Sequence, residues 1–397
     1  MNIFKNKMLL LVPVIALVVL FIFAITQIPS VKQSPKNLPI AIVNEDEGVE
    51  IPQKGTLNLG ATIEKNIKKS SSVNSNDDEP AIKWVTVSSF KEVKEGMNDK
   101  RYYGAIVIPK DYSAKQASLQ SPKPVSPEIQ LFVNQGMNAI ASNTVSQMFN
   151  SIYDKLSENT SLELLKGYKK QGNMITTEQA SFIASPIKKV VTNVNSSGTQ
   201  GNAPVSLFQP LWMASIVAAV ILWNSTKKLQ QKTRKKRLVI KLIQVLVGAI
   251  CAILIGFTLT WIADVMLGFE IPKFMDTALF LAITNFSFIL MISAILSWLG
   301  FAGVPIFVLM LFFGAPLLAM APEFMPSFYH DWIFPWLPMR FMVDGLRELF
   351  FFSKTLSWNQ PTSVLCWIGL GSLVVFFMSI LKEETKNENT TLEHSGN

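Results

Sequence analysis

PVSLFQPLWMASIVAAVILWNSTKKLQQKTRKKRLVIKLIQVLVGAICAILIGFTLTWI, residues Pro204 to Ile262, sets a run of cations between two long apolar stretches. Lys227, Lys228, Lys232, Arg234, Lys235, Lys236 and Arg237 fall between Ser225 and Arg237 with no acidic residue among them. In a polar setting such a run reads as a nucleic-acid contact, an import signal or a solvated helix face. Its flanks change that reading. Pro204 to Trp223 and Leu238 to Ile262 are each long enough, at about 1.5 Å per residue, to cross a hydrocarbon core roughly 30 Å thick. The run is therefore expected to be a loop between two membrane-crossing helices.

Composition agrees with a chain that lives in lipid. Only 16% of the 397 residues are charged, against about 25% in a typical soluble domain, so there is too little polar surface to face water everywhere. The formal net charge of +8 comes almost entirely from the one basic loop, so no nucleic-acid partner follows from it. Cys251 and Cys366 both sit in apolar stretches and none stands in the large polar segment, which argues against disulfides, thiol catalysis and a cysteine-based zinc site.

From the amino terminus, MNIFKNK gives way to about twenty uncharged residues, MLLLVPVIALVVLFIFAIT, too long a run for an ordinary cleaved signal. Residues 1–28 are read as a basic start and a first membrane helix. Residues 29–203 then carry strand signals at Leu38 to Asn44, Ile82 to Val87, Tyr103 to Pro109 and Pro127 to Val133. Helical periodicity lies between them in LNLGATIEKNIKKS and SSFKEVKEGMNDK, the second with a serine as its N-cap. This alternation predicts a small α/β domain, followed by a long helix with Ile140, Met148, Phe149, Ile152 and Leu156 on one face and a linker NVNSSGTQGNAP.

Residues 204–381 are expected to form a five-helix membrane domain, with further spans near 238–266, 278–299, 304–320 and 364–381, and residues 382–397 a polar tail. The fold class is thus a mainly α-helical polytopic membrane protein. It has six transmembrane helices and an extracytoplasmic α/β domain inserted between the first and second. Retention of Lys and Arg on the cytoplasmic side places the loop at 224–237, both termini and the tail inside, and residues 29–203 outside, in a bacterial plasma membrane. The basic loop can also rest on anionic lipid or dock a partner.

Between the fifth and sixth spans, APEFMPSFYHDWIFPWLPMRFMVDGLRELFFFS (321–353) is too apolar for an exterior loop and too broken by Pro322, Pro326, Pro335 and Pro338 to span. After Pro338 an amphipathic helix can run with Arg340, Asp344, Arg347 and Glu348 on its polar side, and an Asp344–Arg347 pair is expected there. Such a segment lies in the interface or re-enters the bilayer beside protein or a water-filled cavity. The order of Pro322-Glu323, Met325-Pro326, Phe328, Leu337-Pro338-Met339 and Gly345-Leu346-Arg347, with LPIAIVNEDEGV and YYGAIVIPKDYSAK earlier, resembles the phage infection protein family, a branch of the type-2 ABC exporter permeases. The resemblance implies a permease subunit, paired as a homodimer or heterodimer. It moves an apolar or amphipathic compound (drug, peptide, lipid or fatty acid) outward and is coupled to separate ABC ATPase subunits. The basic loop is then the candidate ATPase-coupling element, and Pro322, Glu323, Pro326, Pro338, Asp344, Gly345, Arg347 and Glu348 mark the candidate re-entrant segment.

No glycine in the chain is followed by lysine, so there is no phosphate-binding loop of the Walker type. ATP would act only through the partner, and the chain is expected to hold no cofactor, no metal and no catalytic group. His330 and His394 are isolated, Asp264 reads as interfacial, and the acidic NEDEGVE (44–50) reads as a solvated turn after a strand rather than a calcium loop. The competing reading is a surface receptor, phage-adsorption factor or secretion accessory that presents the α/β domain, anchored by spans that are more numerous than an anchor needs.

Overall fold

The computed structural model describes residues 7–31, 34–51, 55–71, 79–121, 124–171, 175–227, 229 and 233–381. The polar tail at 382–397, Lys228 and Lys232 lie outside the described residues. The chain divides into two compact units. One is Met1–Val205 with Phe312–Leu337 and Arg347–Lys354, and the other is Ser206–Leu311 with Pro338–Leu346 and Thr355–Asn397.

The first unit opens with helix α1 (Lys7–Val31) and continues through β1 (Leu38–Asn44), β2 (Val49–Ile51), β3 (Gly55–Leu57), α2 (Leu59–Ser71), β4 (Ile82–Thr86), α3 (Phe90–Asn98), β5 (Gly104–Ile108), α4 (Tyr112–Ser118), β6 (Glu128–Asn134), α5 (Ala139–Gln171), α6 (Thr177–Ala184) and β7 (Lys188–Val194). A five-stranded sheet runs β4-β1-β5-β6-β7, and β2 and β3 form a separate hairpin. β1 is parallel to β4 and to β5, β5 is antiparallel to β6, and β6 is parallel to β7. Central strands covered on both faces read as unbroken apolar runs rather than alternating ones, and Ile40, Ala41, Ile42 and Val43 of β1 are wholly buried for that reason.

Val93 and Met97 of α3 pack on Ala41, Val43, Ala105, Val107 and Phe132. α5 comes close to the sheet at Gly104, where an added Cβ would lie 2.7 Å from Val145 Cγ1 and 2.9 Å from Phe149 Cζ. The buried line of α5 is Ala141, Val145 and Phe149, continued by Leu164 and Tyr168, while Ile140, Met148, Ile152 and Leu156 are only half-buried.

Two features correct the sequence reading. The stretch just before the linker forms β7, in register with all of β6. The acidic turn is not solvated at its centre: Asp46 is 7% exposed. Its Oδ1 accepts from Ser113 N (2.9 Å) and Gly48 N (3.3 Å), and its Oδ2 accepts from Gly60 N (3.0 Å) and from the Ser113 hydroxyl. A carboxylate saturated by four donors ties the end of β1 to the hairpin and to the starts of α2 and α4, and offers no free lone pairs for a cation.

The second unit holds α7 (Ala203–Ser206) in part, then α8 (Phe208–Lys227), α9 (Arg234–Trp261), α10 (Phe274–Leu299), the first half of α11 (Val304–Ala319), the start of α12 (Met339–Phe351) and α13 (Gln360–Met378). Four stretches among the described residues are long and apolar enough to cross a membrane: Ala203–Lys227, Arg234–Met266, Phe274–Ala319 and Gln360–Leu381. α1 adds a shorter apolar stretch, Ala16–Pro29.

α10 is the hub of this unit, packed against α8, α9 and α13. Without water, helices associate through close backbone approach and polar bonds, and both occur here. At Gly256 of α9 an added Cβ would meet Ala282 N at 2.6 Å and Ala278 O at 2.7 Å. Trp212 Nε1 donates to Phe307 O (3.0 Å), Asn285 Nδ2 to Ser215 Oγ (2.9 Å) and Gln244 Nε2 to Thr226 Oγ1 (2.6 Å).

Candidate functional site

The proline-broken segment folds as a chain of tight turns, and its prolines decide where each begins. Pro322 opens a 3-10 turn, Pro322–Phe324, and the carbonyl of Pro326 accepts from Tyr329 N (2.9 Å) and His330 N (3.1 Å) to start a π turn, Tyr329–Ile333. A further 3-10 turn covers Phe334–Trp336, and Pro338 immediately precedes α12. A pyrrolidine ring lacks the N–H that a helix interior needs but suits a first turn, so each proline ends one piece and starts the next. His330 Nδ1 lies 2.6 Å from Asp331 Oδ1, with both side chains exposed.

Within the α/β unit, this segment is held by groups of the sheet domain. Glu323 Oε2 accepts from Tyr103 OH at 2.8 Å, and its backbone carbonyl accepts from Lys36 N at 2.8 Å. Asn138 Nδ2 donates to Ala319 O (2.9 Å) while its Oδ1 accepts from Ala141 N (3.0 Å), so one amide both caps α5 and holds the end of α11. Arg347 donates from a terminal nitrogen to Leu318 O at 3.2 Å. Glu348 is 4% exposed; its Oε1 binds Lys100 Nζ and its Oε2 lies 3.7 Å from Lys354 Nζ.

Lys100 is placed for that contact by its backbone. It adopts a left-handed φ of +61° at the end of α3, and buried Asn134 fixes the turn by donating to Met97 O (2.8 Å) and Tyr102 O (3.1 Å). Gly136 has no space for a side chain, since a Cβ would lie 2.8 Å from Phe351 Cβ and 2.9 Å from Phe352 Cε2. Tyr329 OH donates to Ile25 O at 2.7 Å, which ties the π turn to α1.

Within the helical unit, Gly345 lets α12 approach α10, because a Cβ would overlap the ring of Phe280. Asp344 is half-buried and acts electrostatically on Arg340, four residues earlier. The eight residues marked in the sequence thus divide: Glu323, Arg347 and Glu348 make contacts within the α/β unit, Asp344 and Gly345 within the helical unit, and Pro322, Pro326 and Pro338 set the turns. Lys100, Asn138 and Lys354 carried no signal in the sequence, and Tyr103 was legible only as the start of a strand and part of the YYGAIVIPKDYSAK motif.

The cations of the basic loop gather at the start of α9. Arg234, Lys235, Lys236 and Arg237 occupy its first turn, the first three exposed and Arg237 half-buried, after Thr233 at the N-cap position. Lys227, at the end of α8, stands 5.1 Å from the centre of the Trp223 ring. Positive charge at a helix N-terminus opposes the helix dipole, so this placement is unfavourable for α9 itself.

The sequence pattern of the ABC-2 family transporter proteins matches residues 7–381. The chain belongs to that family. An ABC-2 permease is the membrane component of a transporter and works with an ABC ATPase. Among solved structures, the ABC-2 chain is similar to a domain assigned to an ABC type-2 transporter from Thermotoga maritima MSB8. The identity is 17%, with 39% of this chain and 84% of that one covered and a TM-score of 0.27. No curated protein matches it.

Proposed function

We propose that this ABC-2 chain is the permease subunit of an exporter that moves an apolar or amphipathic compound (drug, peptide, lipid or fatty acid) out of a bacterial cell, powered by a separate ATPase subunit. The observation that carries the reading is the family match over nearly the whole chain. The narrower placement in the phage infection protein branch rests on the order of the proline-bearing motifs. Six crossings fit the apolar lengths: Phe274–Ala319 is 46 residues, about twice what one crossing of a roughly 30 Å core needs, and it breaks at the turn Gly300–Gly303 with φ +62° at Gly300. α1 supplies the first crossing.

In this reading the basic turn at α9 faces the cytoplasm and meets the ATPase, with a second permease subunit completing the transporter. Replacing Lys235, Lys236 and Arg237 with Gln is expected to lower ATPase co-purification and ATP-dependent efflux by roughly fivefold or more, since a surface cation contributes on the order of 1 kcal/mol in such a field. Membrane abundance and orientation, measured in the same variants, are expected to stay unchanged. Normal association and efflux with normal orientation would reduce the loop to a topology signal.

A further inference from the structure

The cytoplasmic end of the helical unit carries one more cation than the basic loop supplies. Lys241 stands two turns into α9, half-buried, with Nζ 3.0 Å from Ser297 Oγ of α10 and 3.6 Å from the centre of the Phe376 ring of α13. Ser297 Oγ donates to Ser293 O at 2.8 Å, which leaves its lone pairs toward the ammonium. Three helices therefore hold this charge in one place.

Among the described residues no carboxylate pairs with Lys241. The sequence has no Asp or Glu between Glu178 and Asp264, between Asp276 and Glu323, or between Glu348 and Glu383. Asp264 and Asp276 stand at the far ends of α9 and α10 from Lys241 and Ser297. Arg237 lies one turn before Lys241 on the same face of α9, and three further cations precede it where the helix dipole already adds positive charge. An arrangement of this kind is relieved by an anion from outside the chain.

We propose that this end of the unit binds the phosphate of an anionic phospholipid, with Lys241 at the phosphate, Ser297 positioning its ammonium, and Arg237 one turn away. The inference rests on the reading that α9 crosses a bilayer. A phosphate monoanion could come from a lipid headgroup or from solution, and the surroundings select the lipid. From the site toward the middle of α9, exposed Leu242, Leu246 and Ile250 continue along the helix. An acyl chain below the headgroup would cover them, whereas a free phosphate would leave them bare.

The test uses the full chain, purified in neutral detergent and stripped of lipid, with the unfolding midpoint followed by tryptophan fluorescence. Phosphatidylglycerol is expected to raise the midpoint saturably, and phosphatidylcholine or inorganic phosphate to leave it unmoved. Lys241→Gln should weaken the response to phosphatidylglycerol by roughly five- to tenfold, Ser297→Ala by less, and Lys241→Arg should keep it. Equal responses to the two lipids, an unchanged response in Lys241→Gln, or an equal effect of inorganic phosphate would each overturn the lipid site. A large gain in affinity on replacing Glu383 and Glu384 with Gln would make the chain's own tail the resident anion and overturn it too. Extraction of the wild-type chain by alkaline carbonate without detergent would instead sink the bilayer-crossing reading, independently of the titration.

Discussion

Taking the Glu348 carboxylate out of water costs its desolvation, and attraction to the partly exposed Lys100 and Lys354 offsets that cost only while they are in place. Removing Lys100 takes the nearer of these two lysines from a carboxylate that is 4% exposed, with Lys354 Nζ at 3.7 Å. Lys100→Met is therefore expected to destabilise the chain by about 3 kcal/mol, the low end for a buried pair because Lys100 itself is 30% exposed, and Lys100→Met with Glu348→Leu to recover most of the loss. Unfolding midpoints of the singles and the double check this, and additive losses would mean that the pair is not coupled. Tyr112 poses the opposite problem: its side chain is fully buried and its hydroxyl has no hydrogen-bond partner among the described residues. Burial first, and then the nearby charges of Asp46 and Glu163, push its phenol up. Below the usual phenol value of about 10 both folded and unfolded forms are neutral, so this contribution to stability is fully present; it is lost as pH rises and the unfolded phenol ionises first. Tyr112→Phe should be neutral or slightly stabilising near pH 7 and should flatten the loss of stability between about pH 9 and about pH 11. A wild-type and a variant curve that fall in parallel over that range would sink the assignment.

Between elements, backbone proximity decides what a helix tolerates. Gly256→Val places a branched side chain against the backbone of α10, which cannot move aside as a flexible side chain would. The expected cost is about 3 kcal/mol or more, read as loss of monodisperse protein in detergent, whereas Gly371→Val on α13, where nothing lies within 4 Å, should be nearly silent. The same physics governs which elements were legible in the sequence. β1, β5 and β6 could be read because buried central strands leave unbroken apolar runs, β4 because its edge position still keeps the run Ile82-Lys83-Trp84-Val85-Thr86, and α3 because Ser89 accepts from Glu92 N at 3.3 Å as an N-cap should. β7 could not, because Lys188–Val194 has no fully buried residue: a sheet edge that packs on little imposes no apolar pattern. The Asp46 knot was misread because its four donors come from Gly48, Gly60 and Ser113, and only Gly48 is local. Glu348 and Lys100 are 248 residues apart, a separation that no local periodicity records. In the proline-broken segment the turns were legible and the partners were not.

At the scale of the whole molecule, the distribution of cations makes a testable statement about sides of the membrane. Seven basic residues between Ser225 and Arg237, with no acidic residue between Glu178 and Asp264, favour retention of that loop on the cytoplasmic side whatever the cargo is. In the six-crossing arrangement the turn Gly300–Gly303 shares that side, and the sheet domain lies opposite. With Cys251 and Cys366 first replaced by Ala, single cysteines at Glu79, Thr233 and Phe301, all exposed positions, report the sides directly. A membrane-impermeant maleimide applied to intact cells should label Glu79→Cys and leave Thr233→Cys and Phe301→Cys unlabelled until the membrane is opened. Labelling of Phe301→Cys but not Thr233→Cys from outside would mean that Phe274–Ala319 does not turn back inside, and the six-crossing arrangement would fall. Labelling of Thr233→Cys from outside would reverse the orientation, separate the basic turn from any cytoplasmic ATPase, and move the lipid site to the outer leaflet.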